Sequence, residues 1–175
     1  MAGLDITIKL DDAALDAALS RAVEEGADMR RPMGEIAGEW MDHVRDRFEK
    51  ERDPFGVPWK KRRIDPSAPI KVKDASRPVL QLERHLLNAV VPDFGSDFAQ
   101  VGVLKTAGPA KYARIHNEGG TIRPRHKAAL SFGGRIVAQV VMPKRQFVGF
   151  GPEEEQSVVE IMTDFARDLF SRSAP

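Results

Sequence analysis

The stretch "AALSFGGRIVAQVVMP" (residues 128–143) reads as two short strands joined by Gly133–Gly134. A tight hairpin turn of the primed type needs positive φ at its central residues, and glycine adopts that conformation without a steric cost. The stretch therefore predicts a local antiparallel pair, and an antiparallel pair asks for a covering layer on one face.

Upstream, "KYARIHNEGGTIRPRHK" (residues 111–127) follows Pro109, a residue suited to the first turn of a helix. The spacing predicts a short helix with Tyr112 and Ile115 anchored in the core and a packed or hydrogen-bonded His116 beside them. Gly119 and Gly120 end it in a left-handed turn. Thr121 and Ile122 start a strand-like return, which holds Arg123, Arg125 and Lys127 out on a basic loop. Farther back, "NAVVPDF" and "FAQVGVL" read as paired strands around Gly95–Ser96, and "VLQLERHLL" (residues 79–87) as a short helix.

Downstream, Pro152 and the run Glu153, Glu154, Glu155 suit the positive end of a helix dipole. Val158, Ile161, Met162, Phe165, Leu169 and Phe170 give that helix its apolar face. At the other end "LDITIKL" alternates like a half-buried strand, and Asp11 or Asp12 caps a helix carrying Leu15, Leu19, Ala22 and Val23. Gly26 breaks it and Pro32 opens a long second helix, whose stripe is Met33, Ile36, Ala37, Trp40, Met41, Val44 and Phe48. Residues 53–78 hold five of the twelve prolines, so they are expected to form a long extended loop anchored by Phe55, Trp59 and Ile64 on the body or on a neighbour. The whole is expected to be a single α+β domain over residues 1–175. The long N-terminal helix, with a kink or break expected between Gly26 and Pro32, and the C-terminal helix would cover one face of a small antiparallel sheet; no strand-helix-strand rhythm points to a parallel one.

Composition narrows the function. The chain is 42% hydrophobic and has no cysteine, so disulfides and thiolate metal sites are excluded. Its opening turns acidic at once, which is expected of neither a signal nor a transit peptide, and no apolar run has the ~20 residues of a membrane helix. Net charge is +1, but residues 1–53 carry 14 acids and 8 bases, residues 111–147 carry 1 acid and 8 bases, and residues 152–175 carry 6 acids and 2 bases. An acidic front and back around a basic middle suggest a polyanion partner or self-association between unlike faces.

His116, Asn117 and Glu118 invite comparison with metal-dependent nucleases. Adjacent residues point in different directions and cannot converge on one ion, and His43, His85 and His126 stand in unrelated contexts. No phosphate loop or nucleophile elbow is present, so no enzyme and no cofactor are expected. Lys60, Lys61, Arg62 and Arg63 beside Trp59, with Arg123, Arg125, Lys127, Arg135, Lys144 and Arg145, could neutralise phosphates, which keeps a basic DNA-binding accessory protein open as an alternative.

The order of these features is more specific than any one of them. "RFEKERDPFGVPWKKR", then "KYARIHNEGGTIRPRHKAALSF", then "MPKRQFVGF" before the last helix resembles the phage virion morphogenesis, or tail completion, family of tailed bacteriophages, including Mu-like phages. Tyr112, Ile115, His116, Gly119, Gly120, Pro143, Arg145, Phe147 and Gly149 carry the resemblance most strongly. One departure stands out: where the family has a leucine, threonine-glycine, leucine pattern, this chain reads "LQLERHLLNAV", with Glu83 and Arg84 in place of the small residues. The resemblance implies a structural virion protein at the neck or top of the tail, assembled in the host cytoplasm. It would form a closed ring, expected as a hexamer, that caps the tail and joins it to a DNA-filled head; a head-side connector is the alternative. Partners would be further copies of itself, neighbouring neck and tail-tube proteins, and passing double-stranded DNA. On that reading Phe55, Trp59, Lys60, Lys61, Arg62, Arg63, Arg135, Lys144, Arg145 and Phe147 are candidates for a subunit or partner interface. Arg123, Arg125 and Lys127 are candidates for a lumen facing DNA. Tyr112, His116, Gly119 and Gly120 form a structural turn.

Overall fold

One long helix organises the chain. In the computed structural model, which describes residues 28–61, 78–81, 83–126, 128–132 and 135–172 together with Ser20, helix α1 (Arg30–Lys50) lies between a strand pair and the C-terminal helix. The expected first strand and first helix, Arg62, Arg63, Lys127 and the Gly133–Gly134 turn lie outside the described residues. Helix α1 forms where expected. Pro32 sits in its first turn, where a missing N–H costs nothing, and Ile36, Ala37, Met41, Val44 and Phe48 are buried at the predicted spacing.

Two apolar clusters use this stripe. One side of α1 meets β1 (Val90–Phe94) and β2 (Ala99–Val103), an antiparallel pair in register from Val90 opposite Val103 to Phe94 opposite Ala99. Val44 and Phe48 pack there with Val90, Val101, Val103, Phe147 and Trp59. Full burial of a side chain such as Phe48 is worth about 2–3 kcal/mol. The other cluster joins Met29 and Ile36 to Val158 and Met162 of the C-terminal helix, α4 (Pro152–Arg172), with Ile161, Phe165 and Leu169 alongside. Trp40 belongs to both clusters, edge-on to Phe150 at 5.8 Å.

The architecture is α+β, with its strands divided into three two-stranded antiparallel ribbons. The stretch that predicted a hairpin does pair β4 (Leu130–Phe132) with β5 (Arg135–Val137), Leu130 facing Val137. The chain then breaks at Ala138 and Gln139, and β6 (Val140–Met142) pairs instead with β3 (Gly120–Ile122). Residues 79–87 yield only the short helix α2 (His85–Asn88). Leu80 and Arg84 have φ of 63° and 54°, a left-handed backbone that a continuing right-handed helix excludes. Arg84 thus occupies a left-handed position at the place where the family's pattern carries small residues.

Candidate assembly interface

The two most telling sequence segments meet in space. Helix α3 (Ala110–Glu118) ends where the chain after β6 crosses it, and His116 O accepts the Arg145 N–H at 2.8 Å. One residue on, the Asn117 side-chain carbonyl accepts two backbone N–H groups, those of Phe147 (3.0 Å) and Val148 (2.9 Å). Asn117 is buried, so without those bonds three polar groups would lose water with nothing in return. Gly119 completes the bracket at φ 74°, ψ −177°, a region open essentially to glycine alone. A Cβ there would also come within 2.8 Å of the Lys144 amide nitrogen.

This geometry corrects the expected packing of α3. Ala113 and Asn117, four residues apart, take its buried face, whereas Tyr112 is 36% exposed and Ile115 half-buried. Tyr112 instead lies edge-on to His116, ring centroids 5.8 Å apart. Burial, and then the charge of Arg145, hold the His116 imidazole below its ordinary pKa and keep it neutral at pH 7. Its neighbours Asn117 and Glu118 are committed elsewhere, Glu118 to Arg114 at 2.9 Å.

A second bracket, which sequence reading missed, joins α1 to α4. Arg47 is 1% exposed and donates to the carbonyls of Phe147 (3.3 Å) and Gly149 (3.1 Å) and to the Glu154 carboxylate. Glu154, also buried, accepts the Gly151 N–H at 2.8 Å and lies 3.0 Å from His43 Nδ1. Burial opposes its ionisation, but the His43 hydrogen bond, the Arg47 charge and the Gly151 N–H outweigh that and hold the carboxyl below its ordinary pKa. The same bond to Glu154 outweighs burial at His43 and raises its pKa. A signal existed: Arg47 lies within the stripe between Val44 and Phe48, and Glu154 lies one turn ahead of Val158.

The candidate interface residues divide sharply. Phe147 (0% exposed), Trp59 (3%) and Arg145 (5%) are buried inside the chain and present no surface to a partner. Trp59 lies edge-on to Phe48, centroids 5.4 Å apart, and donates its indole N–H to Gln146 O; Arg145 Nε donates to Lys60 O. The first part of the proline-rich segment is thereby docked on the body. Phe55, 64% exposed, projects from a knuckle in which Asp53 Oδ1 accepts the N–H groups of Phe55 and Val57. Lys60 and Lys61 are exposed, Lys61 pairing with Glu51. Lys144, Arg123 and Arg125 are exposed on or beside the ribbons, and Arg135 lies in β5.

The ribbons are the unusual surface. Neither β3–β6 nor β4–β5 packs extensively on a helix among the described residues. Ile136 is 83% and Val141 68% exposed. An isolated two-stranded ribbon is marginally stable at best in water, and its free edges invite pairing.

The family model for phage virion morphogenesis proteins matches residues 10–165, nearly the whole length. This chain belongs to the phage virion morphogenesis family. No curated protein and no solved structure matches it. A phage virion morphogenesis protein has a structural or assembly role in the virion, and the two brackets fit that role: they join segments from distant parts of the chain into a scaffold. No group of three or more metal-ligating side chains is gathered among the described residues, and none of their helices is long and apolar enough to cross a membrane.

Proposed function

We propose that this phage virion morphogenesis protein acts as the tail-completion, or terminator, ring at the head–tail neck, capping the tail and making it competent to join a filled head. The observation that carries this reading is the division of charge along a single chain. From Gly119 to Gly151 there are six Lys and Arg residues and no acid, and the following helix α4 carries six acids against two bases. A ring subunit needs two unlike, complementary faces, because a head-to-tail contact repeats around a closed axis. Basic residues on the ribbons also suit a lumen through which DNA passes, where contacts to phosphate suffice without base recognition. The role is architectural, and His116 serves the fold rather than any turnover.

Mass photometry of the purified protein at ~50 mM and ~500 mM salt tests self-association, since screening at the higher salt removes most attraction between exposed charges. Rings that weaken with salt support the reading; a monomer at every concentration overturns it. Phage carrying a stop codon in this gene tests the place in the virion. Filled heads and unjoined tails are expected, and normally joined particles would refute a neck role. Tight binding of double-stranded DNA by the monomer at ~150 mM salt would favour the DNA-binding alternative instead.

A further inference from the structure

We propose that the ribbon arm of one copy, β3–β6 with β4–β5, docks against the furrow between α1 and α4 of the next copy. The inference rests on the ring reading above and names its contact surfaces.

The arm needs a backing layer that the described residues do not supply. Its two ribbons have open edges and expose Ile136 and Val141, although strands of this length require packing on a third element for stability. Its charge selects the kind of surface that can provide one. Arg123 and Arg125 are exposed at the end of β3, and no acid lies anywhere between Gly119 and Gly151 to neutralise them.

The face of α4 has the opposite character. Between α1 and α4 runs a furrow of about 360 Å³ lined by Glu39, His43, Asp46, Glu153 and Glu160 among others. Its basic groups are already committed, Lys50 to Asp46 at 2.7 Å, Arg52 to both Asp46 and Glu153 at 2.7 and 2.9 Å, and His43 to the buried Glu154 at 3.0 Å. Glu39 and Glu160 are thus left as exposed negative charges along its walls. Arm and furrow are different surfaces of the same chain, so their contact is head-to-tail, the kind that builds a ring when its rotation closes.

Charge reversal separates the possibilities. Arg123→Glu with Arg125→Glu alters the arm, and Glu39→Arg with Glu160→Arg alters the furrow; all four positions are exposed, and circular dichroism checks that each variant is folded. Each double variant alone should raise the concentration at which rings form by at least ~10-fold. Mixed in equal amounts they should form rings again, because every arm then meets a furrow of opposite sign. An arm seated on its own chain's furrow cannot be rescued by mixing, so variants that stay monomeric in the mixture overturn the proposal. So does wild-type assembly by either variant alone. A wild-type protein that never forms rings refutes the ring reading itself, whereas rings indifferent to both reversals refute only this docking.

Discussion

The Arg47–Glu154 bracket and the ribbon arm sit in one small protein and treat polar and apolar groups in opposite ways. At the bracket, a buried guanidinium and a buried carboxylate meet each other, two backbone carbonyls, a backbone N–H and His43. On the arm, isoleucine and valine face water, and the cations lie in a stretch, Gly119 to Gly151, that holds no acid. A bracket closed on itself holds the subunit together. On the docking proposed above, the open arm is kept for a neighbour, and the contrast then separates mutations that unfold the protein from those that only stop it assembling.

The largest effect is expected at the bracket. Glu154→Ala strands a buried Arg47 charge and should cost about 3–5 kcal/mol in urea denaturation. A loss below about 1 kcal/mol would mean that water reaches the site. Next comes Asn117→Ala, which leaves the N–H groups of Phe147 and Val148 without an acceptor and should cost about 2–3 kcal/mol. Arg84→Gly should act in the opposite direction, stabilising by about 1 kcal/mol as a left-handed residue loses its Cβ strain. An unchanged urea midpoint there would contradict the left-handed backbone.

Two histidines should shape the pH dependence more gently. His43 has a raised folded pKa, so its contribution is full below about 6.5 and is lost as pH rises through the folded value. His116 has a lowered one, so its contribution is present above about 6.5 and lost as pH falls through that range. His43→Gln should flatten the alkaline side of a stability-against-pH curve and His116→Gln the acid side; identical curves would show that neither histidine is coupled to folding. Glu154, its pKa depressed, adds stability above about 4.5 that disappears in stronger acid. The smallest effect on stability belongs to the arm: Ile136→Ser with Val141→Ser should stay within about 0.5 kcal/mol of wild type while assembly weakens.

The same contrast explains what could be read from sequence. The α1 stripe, the α4 stripe and the paired strands were legible because burial repeats at a fixed period, and Pro32 and Pro152 mark where the helices begin. The Gly119–Gly120 turn was legible as a place that needs glycine, although Gly119 takes ψ −177° in place of a left-handed helical cap and the buried face of α3 was misplaced. Glu154 went unread because Glu153 and Glu155 flank it with the same chemistry, and only its place one turn ahead of Val158 tells which of the three turns inward. Asn117 was hidden inside a triplet that looks catalytic, since its partners lie thirty residues away in a segment whose path no local pattern reveals. Trp59, read as an anchor on the body or on a neighbour, and Phe147, a candidate for a partner interface, both pack on their own chain; an aromatic in a loop looks alike in sequence either way.

Hydrogen exchange on the assembled protein and on the folded Glu39→Arg, Glu160→Arg variant tests the contrast most directly. The amides of α1, β1 and β2 should be equally protected in both samples. Those of Gly120–Ile122 and Val140–Met142 should exchange at least ~10-fold faster in the unassembled variant, because the ribbon gains its backing layer only from a neighbour. Equal protection of the ribbon in both samples would contradict an arm reserved for assembly.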